Sequence, residues 1–179
     1  MTTDNDLVRV EVQTNDGKFV LGIDEARAPI TARNFLAYVD GGHLNGSTVY
    51  RIVTMANQKP ETVHKIEVIQ WGWRPTDDAQ EQPFPSIAHE PTSLTGLKHT
   101  DGTISMARFG PGTAGPGFFI CIGDQPELDE GGRRNPDGHG FAAFGKVLEG
   151  QDTIAKLFAR AEADEYPITP LPISSVRRA

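Results

Sequence analysis

The sequence predicts a mainly β fold, about eight short strands and two helices closed into a barrel, and three observations carry that expectation. Nineteen glycines and thirteen prolines exceed what a helical bundle tolerates, and they suit short strands joined by tight turns. Apolar and polar residues alternate in several short runs, whereas only two stretches show the spacing of an amphipathic helix. With so many strands and no internal repeat, closure into a barrel is the arrangement that leaves no strand edge exposed. A length of 179 residues fits one domain, residues 1–179, around a single core.

The elements follow in order. Residues 7–13 alternate with Val8, Val10 and Val12 on one face, Asn15-Asp16-Gly17 supplies a turn, and Phe19, Leu21 and Ile23 alternate again. This is a hairpin signal. Pro29 opens a helix at its first turn, where a missing N–H is harmless, Ile30, Asn34, Phe35, Leu36 and Val39 follow, and Gly41-Gly42 stops it. Residues 49–53 and 65–70 read as strands, with the polar stretch 57–61 between them as an exposed loop. The stretch 75–91 is rich in proline and polar residues and reads as a long irregular loop. Residues 103–107 and 118–122 read as buried strands joined by the Gly/Pro-rich 110–116. After the glycine-rich loop 130–140 comes a strand over 141–147, then a second helix capped by Asp152, with Ile154, Leu157 and Phe158 on one face. The tail from Tyr166 ends in an edge strand, because Pro170 and Pro172 would interrupt a central ladder.

Charge narrows the function classes. Seventeen basic against 24 acidic residues give −7, which opposes binding to nucleic-acid phosphates. No apolar run is long enough to span a bilayer, so no membrane partner is expected. Residues 1–6 are polar and acidic, with no leader pattern, so the expected location is the cytoplasm, or the periplasm if a leader has been removed. The lone Cys121 excludes an internal disulfide, and in the apolar run Phe118-Phe119-Ile120-Cys121-Ile122 it reads as a small buried hydrophobe. Five scattered histidines show no i, i+4 pair, so neither a metal site nor a cofactor is expected.

Several segments go further than a soluble β-rich domain. Val49-Tyr50-Arg51-Ile52-Val53, Val68-Ile69-Gln70, Gly102-Thr103-Ile104-Ser105-Met106-Ala107, Gly115-Pro116-Gly117-Phe118-Phe119-Ile120 and Phe144-Gly145-Lys146-Val147 resemble consecutive cyclophilin motifs, in order and near the right spacing. Gly123-Asp124-Gln125-Pro126-Glu127-Leu128-Asp129 with Asn135-Pro136-Asp137-Gly138 resembles a bacterial branch of that family. The resemblance covers roughly residues 8–177. It implies an eight-stranded antiparallel barrel capped by two helices, with a groove on its outer face that isomerises X-Pro bonds in proline-containing peptides or unfolded chains, most simply as a monomer. By position it makes Arg51 the catalytic arginine and Gln70 the side chain that holds the substrate backbone. Val68, Phe119, Leu128 and Phe141 would line a proline pocket, and Ala107 and Arg108 would flank the peptide through their backbone.

The residue types suit that chemistry. The barrier to amide rotation is ~18–20 kcal/mol, set by resonance across C–N. Rotation returns a lone pair to the proline nitrogen, so a fixed cationic donor meets more negative charge in the transition state than in the ground state. Arginine stays charged and presents a rigid fork.

Several positions depart from the family pattern. Gly117 stands where a glutamine commonly orients the arginine and the peptide, Glu67 where an aromatic is usual, and Trp71 where a glycine follows the glutamine. Phe141 replaces a histidine. Glu127 replaces a tryptophan whose indole N–H binds the inhibitor cyclosporin in many cyclophilins. Two alternatives of other classes remain at this point. One is a proline-peptide binding or chaperone-like module with little turnover. The other is a hydrolase on Ser105, which would need His99 beside it and Asp101 as the acid, although the residues around Ser105 form no nucleophile elbow.

Overall fold

In the computed structural model, which describes residues 3–179, eight antiparallel strands close into a barrel in the order β1-β2-β7-β5-β6-β4-β3-β8. The strands are β1 (Val8–Thr14), β2 (Gly17–Ile23), β3 (Thr48–Val53), β4 (Val68–Gly72), β5 (Thr103–Met106), β6 (Gly117–Cys121), β7 (Ala143–Glu149) and β8 (Leu171–Arg178). Two longer helices, α1 (Pro29–Asp40) and α3 (Gln151–Phe158), pack on the barrel, and a single turn, α2 (Thr92–Thr95), follows the proline-rich loop. No helix among the described residues is long and apolar enough to cross a membrane. Met1 and Thr2, the start of the polar stretch 1–6, lie outside the described residues.

The interior is filled by one side of each strand. Val10, Val12, Phe19, Leu21, Ile23, Ile69, Ile104 and Ile120 are fully buried there, with Phe35 of α1 plugging the space. Trp71 sits among Phe19, Phe35 and Phe118, all in edge-on contacts with centroids 5.5 to 6.3 Å away. The residue that departs from the family glycine therefore builds the core. Its indole N–H has no partner, a penalty of ~1–3 kcal/mol that the ring's large apolar area offsets.

The N-terminus of α1 lacks a capping side chain at Ala28, and Glu90 supplies one from the long loop: Thr31 donates to its carboxylate from both N (2.7 Å) and Oγ1 (2.6 Å). Loop 75–91 is thus pinned at its end by a buried acid and at Ile87 by a bridge to Ala114.

Four expectations need correction. The tail is no edge strand: β8 pairs with both β1 and β3 and completes the barrel. Pro172 is tolerated because the contact with β3 is short and its ladder bonds run through the next residue, Ile173 N donating to Ser47 O and Ile173 O accepting from Gly46 N. The strand expected over 65–70 begins at Val68 and continues through Trp71 to Gly72, since the pairing with β6 sets its ends. The strand expected over 141–147 begins at Ala143 and runs to Glu149, because Phe141 N bonds instead to Leu128 O in the neighbouring loop. Asp152 lies inside the first turn of α3, and the cap position is held by Gly150 at φ 90°, where a Cβ would come within 2.7 Å of Phe19.

Candidate active site

Arg51 reaches the outer face because β3 contains a bulge. Val49 pairs with Trp71, and the next pair is Arg51 with Gln70, so Tyr50 is an extra residue on β3. Strict alternation from inward Val49 would turn Arg51 into the core. The bulge turns it out and brings Ile52, fully buried, in.

The register then lines up the site. Arg51 pairs with Gln70, Gln70 with Phe119, and Phe119 with Ser105, a single row across β3, β4, β6 and β5. One row over, Val53 pairs with Val68 and Val68 with Cys121. These outward residues form a small apolar cluster of their own, Val53, Ile66, Val68, Phe119, Cys121 and Leu128, with Ala107 and Phe141 packed against it. The structure thus gathers the residues expected of a proline pocket into one patch beside Arg51 and Gln70. Phe119 meets Phe141 edge-on at 5.6 Å, and Phe141 is the partly exposed member at the rim. Burial drives the Cys121 thiol pKa well above its usual range, so it is a packing group rather than a nucleophile.

The polar half is a hydrogen-bonded chain. Arg51 donates from Nη1 to Gln70 Oε1 (3.1 Å) and from Nη2 to Glu165 Oε1 (2.8 Å), while Gln70 Nε2 donates to Tyr50 Oη (3.0 Å). Burial raises the Tyr50 phenol pKa, keeping it protonated. Arg134, held by Gln58 Oε1 and His64 O, has its pKa lowered by burial and by its neighbour Arg51.

Beside this chain lies an open cleft of about 340 Å³ lined by Arg51, Gln70, Arg74, Ala107, Gly117 and Tyr166 among others. A Cβ placed on Gly117 would come 2.9 Å from Tyr50 Oη. The phenol therefore fills space that a side chain at 117 would need. We expect Gly117→Ala to push Tyr50 off Gln70 and lower kcat/KM about two- to fivefold, the effect of ~0.4–1 kcal/mol. A protease-coupled assay beside a thermal melt checks this, and an unchanged rate would show that the Tyr50 contact does not matter.

Arg108 has more to do than offer its backbone. Its side chain is almost fully buried, donates from Nη1 and Nη2 to Asp137 (2.9 and 3.1 Å) and from Nε to Gly140 O (3.0 Å), and stacks over Phe141 at 4.7 Å. Those bonds lower the Asp137 carboxyl pKa and tie loop 130–140 against the apolar patch. Glu67, at the usual aromatic position, accepts from Met55 N at 3.3 Å instead of entering the patch. Glu127 Oε2 lies 2.8 Å from His64 Nδ1.

His99 does lie beside Ser105, with Nε2 to Oγ at 2.8 Å, and its Nδ1 faces Asp129 Oδ1 at 2.8 Å. The acid is Asp129 and not Asp101, whose carboxylate accepts from Gly123 N. Burial works to raise the Asp129 carboxyl pKa, but the two hydrogen bonds from His99 outweigh it and hold the pKa low. Ser105 is fully buried and His99 is 2 % exposed, with its ring stacked on Phe119. No substrate carbonyl can reach this serine, and the group supports the pocket from beneath.

Neither Glu165 nor Tyr166 is marked as a site residue by any motif or periodicity. Glu165 is 114 residues from Arg51 along the chain and belongs to the α3–β8 connection, where no motif marks it.

Comparison with known proteins agrees with the fold and the family resemblance. Residues 9–178 match the family described as cyclophilin type peptidyl-prolyl cis-trans isomerase/CLD. The chain is 32% identical over 174 residues to peptidyl-prolyl cis-trans isomerase cyp18 of Streptomyces antibioticus, covering 94% of this chain and 96% of that one. It is 30% identical to peptidyl-prolyl cis-trans isomerase B of Escherichia coli, covering 83% and 82%. A crystal structure of a cyclophilin-type isomerase from Cryptosporidium parvum superposes with a TM-score of 0.75 at 23% identity over 97% of this chain and 98% of that one, a likeness of fold. The same Cryptosporidium protein has also been solved in the presence of the dipeptide Ala-Pro, with a TM-score of 0.74 at 22% identity.

Proposed function

The chain belongs to the cyclophilin-type peptidyl-prolyl cis-trans isomerase family, and on that premise we propose that Arg51 is its catalytic cation and Gln70 its substrate-holding side chain. The observation that carries the assignment is the single transverse row, Arg51, Gln70 and Phe119, beside the outward apolar patch.

In this reading the proline ring rests on Val68, Phe119, Leu128 and Phe141, while Ala107 and Arg108 border the chain with their backbone. The ring is held while the preceding carbonyl turns. Arg51 donates toward the proline nitrogen as its lone pair localises, a contact stronger in the twisted state than in either planar one. A charge-assisted hydrogen bond of this kind contributes ~1.5–3 kcal/mol. At ~1.4 kcal/mol per decade that is roughly one to two decades of rate, and the rest must come from gripping the twisted conformer.

The substrates are proline-containing peptides or unfolded chains, and the enzyme works as a cytoplasmic monomer. The −7 charge opposes a nucleic-acid partner, and the lone buried cysteine agrees with a reducing compartment. The binding-module alternative draws support from one observation, the bare Gly117 in the cleft. A protease-coupled assay on a short X-Pro peptide decides between them: catalysed exchange supports the isomerase, and binding without exchange supports the module.

The mechanism uses no metal and no covalent intermediate. Activity should therefore be unchanged, within about twofold, in excess EDTA and after serine- or thiol-directed reagents. Loss in EDTA that a divalent ion restores would overturn the mechanism.

A further inference from the structure

We infer that Glu165 is a positioning residue for the isomerase reaction, fixing the Arg51 guanidinium in its working orientation and standing in for the side chain missing at Gly117. The inference rests on Arg51 being the catalytic cation.

Arginine has a long flexible stem, and ordering it fully costs about 2 kcal/mol of rotamer freedom. A catalytic arginine that is free until the transition state must meet that cost there, so a pre-ordered one is faster. Here both terminal nitrogens are already engaged, Nη1 by Gln70 and Nη2 by Glu165 at 2.8 Å. The Tyr166 ring adds a face 5.8 Å from Cζ. The pair is mostly buried, with side-chain exposures of 24% and 22%, unlike the exposed Arg178–Asp40 pair at 49% and 53%. Exposed pairs hold little, whereas a sheltered pair that also satisfies a hydrogen bond holds its partner in place.

The carboxylate is itself delivered by backbone. Ile52 N, the residue after Arg51, donates to Glu165 O at 2.7 Å, which docks the α3–β8 connection along β3. Asn57 Nδ2 donates to Glu162 O, Tyr166 N to Asp164 Oδ1 and Ile168 N to Glu162 Oε2, so the segment keeps its shape without the Glu165 side chain. Removing that carboxylate should loosen Arg51 and leave the fold intact. Gly117, which lines the same cleft, offers no side chain at all, and Tyr50 serves Gln70 rather than Arg51. Glu165 is thus the hydrogen-bonding support that Arg51 has in addition to Gln70.

The test compares Glu165→Ala, Glu165→Gln and Arg51→Lys, alone and combined, with kcat and KM separated by NMR exchange on an X-Pro peptide and Tm recorded for each. Glu165→Ala should lower kcat about five- to tenfold with KM altered less than about twofold and Tm nearly unchanged, the mark of an interaction felt in the transition state. Glu165→Gln, which keeps an acceptor, should restore at least about half of the lost rate. In the Arg51→Lys background Glu165→Ala should add less than about twofold, because residues acting through one another are not additive. A rise in kcat for Glu165→Ala would show a carboxylate that damps the arginine, and additive losses or a matching fall in Tm would show a merely structural pair. Either result overturns the inference. An Arg51→Lys variant as fast as the unmodified protein would instead overturn the assignment of Arg51 itself.

Discussion

Arg51→Ala should lower kcat/KM at least tenfold while Tm stays within a few degrees of the unmodified protein. The two halves of this expectation have separate causes. The rate falls because the only charged donor in the row disappears, and ~1.5–3 kcal/mol of transition-state stabilisation corresponds to about one to two decades. The fold survives because the bulge at Tyr50 puts the side chain on the outer face, while the core at this level is built by Val49, Ile52, Ile69 and Trp71. Truncation leaves Glu165 and Gln70 without their shared partner, but both touch solvent, so water can take the place of the guanidinium. The protease-coupled assay and a thermal melt measure the two halves independently. An unchanged rate would remove Arg51 from the catalytic role, and a collapse of the fold would make it a structural residue.

Much of this site was legible in the sequence because its side chains sit at alternating positions on strands whose order the motifs preserve. Val68 and Gln70 share a face of β4 by the period-two rule, and the polar Gln70 marks that face as the outer one, whereas Phe119 lies in an all-apolar run that reads as core, and only the family resemblance puts it on the outer face. Arg51 did not follow from that rule, since the bulge that exposes it leaves no mark in Val49-Tyr50-Arg51-Ile52-Val53, and it was found through the family motif. Glu165 followed from neither. Its position depends on a backbone hydrogen bond between segments far apart in sequence, and such long-range docking has no local periodicity. The place of the closing strand is hidden for a similar reason. Two prolines argue for an edge, and only the pairing of Ile173 with its neighbours shows that the ladder passes them by. The buried Ser105, His99 and Asp129 group shows the converse: matching residue types and hydrogen-bond distances carry no hydrolytic chemistry where no substrate can enter.

Inhibition by cyclosporin should be roughly ten- to a hundredfold weaker than for typical cyclophilins. In the family an indole N–H at the position of Glu127 donates to the ligand, and an ionised carboxylate can only accept. The structure adds a second reason. Glu127 Oε2 is engaged by His64 Nδ1 at 2.8 Å, which ties the loop carrying Leu128 to the segment before β4. An inhibitor must therefore either leave its own carbonyl unpaired or disrupt that contact, a loss of ~1–3 kcal/mol, and ~1.4 kcal/mol is one decade of affinity. Gly117, in place of the glutamine that the family commonly carries, removes a further polar contact. On the proposed mechanism a short X-Pro peptide depends mainly on Arg51, Gln70 and the apolar patch, so its turnover should suffer less than inhibitor binding. Glu127→Trp should recover part of the sensitivity, and Glu127→Trp combined with His64→Ala should recover more, because the indole then no longer has to displace a histidine left without its acid. Inhibition constants measured in the isomerase assay decide the matter. Tight inhibition of the unmodified protein would mean that the ligand does not meet the His64–Glu127 pair and that Glu127 points away from the groove.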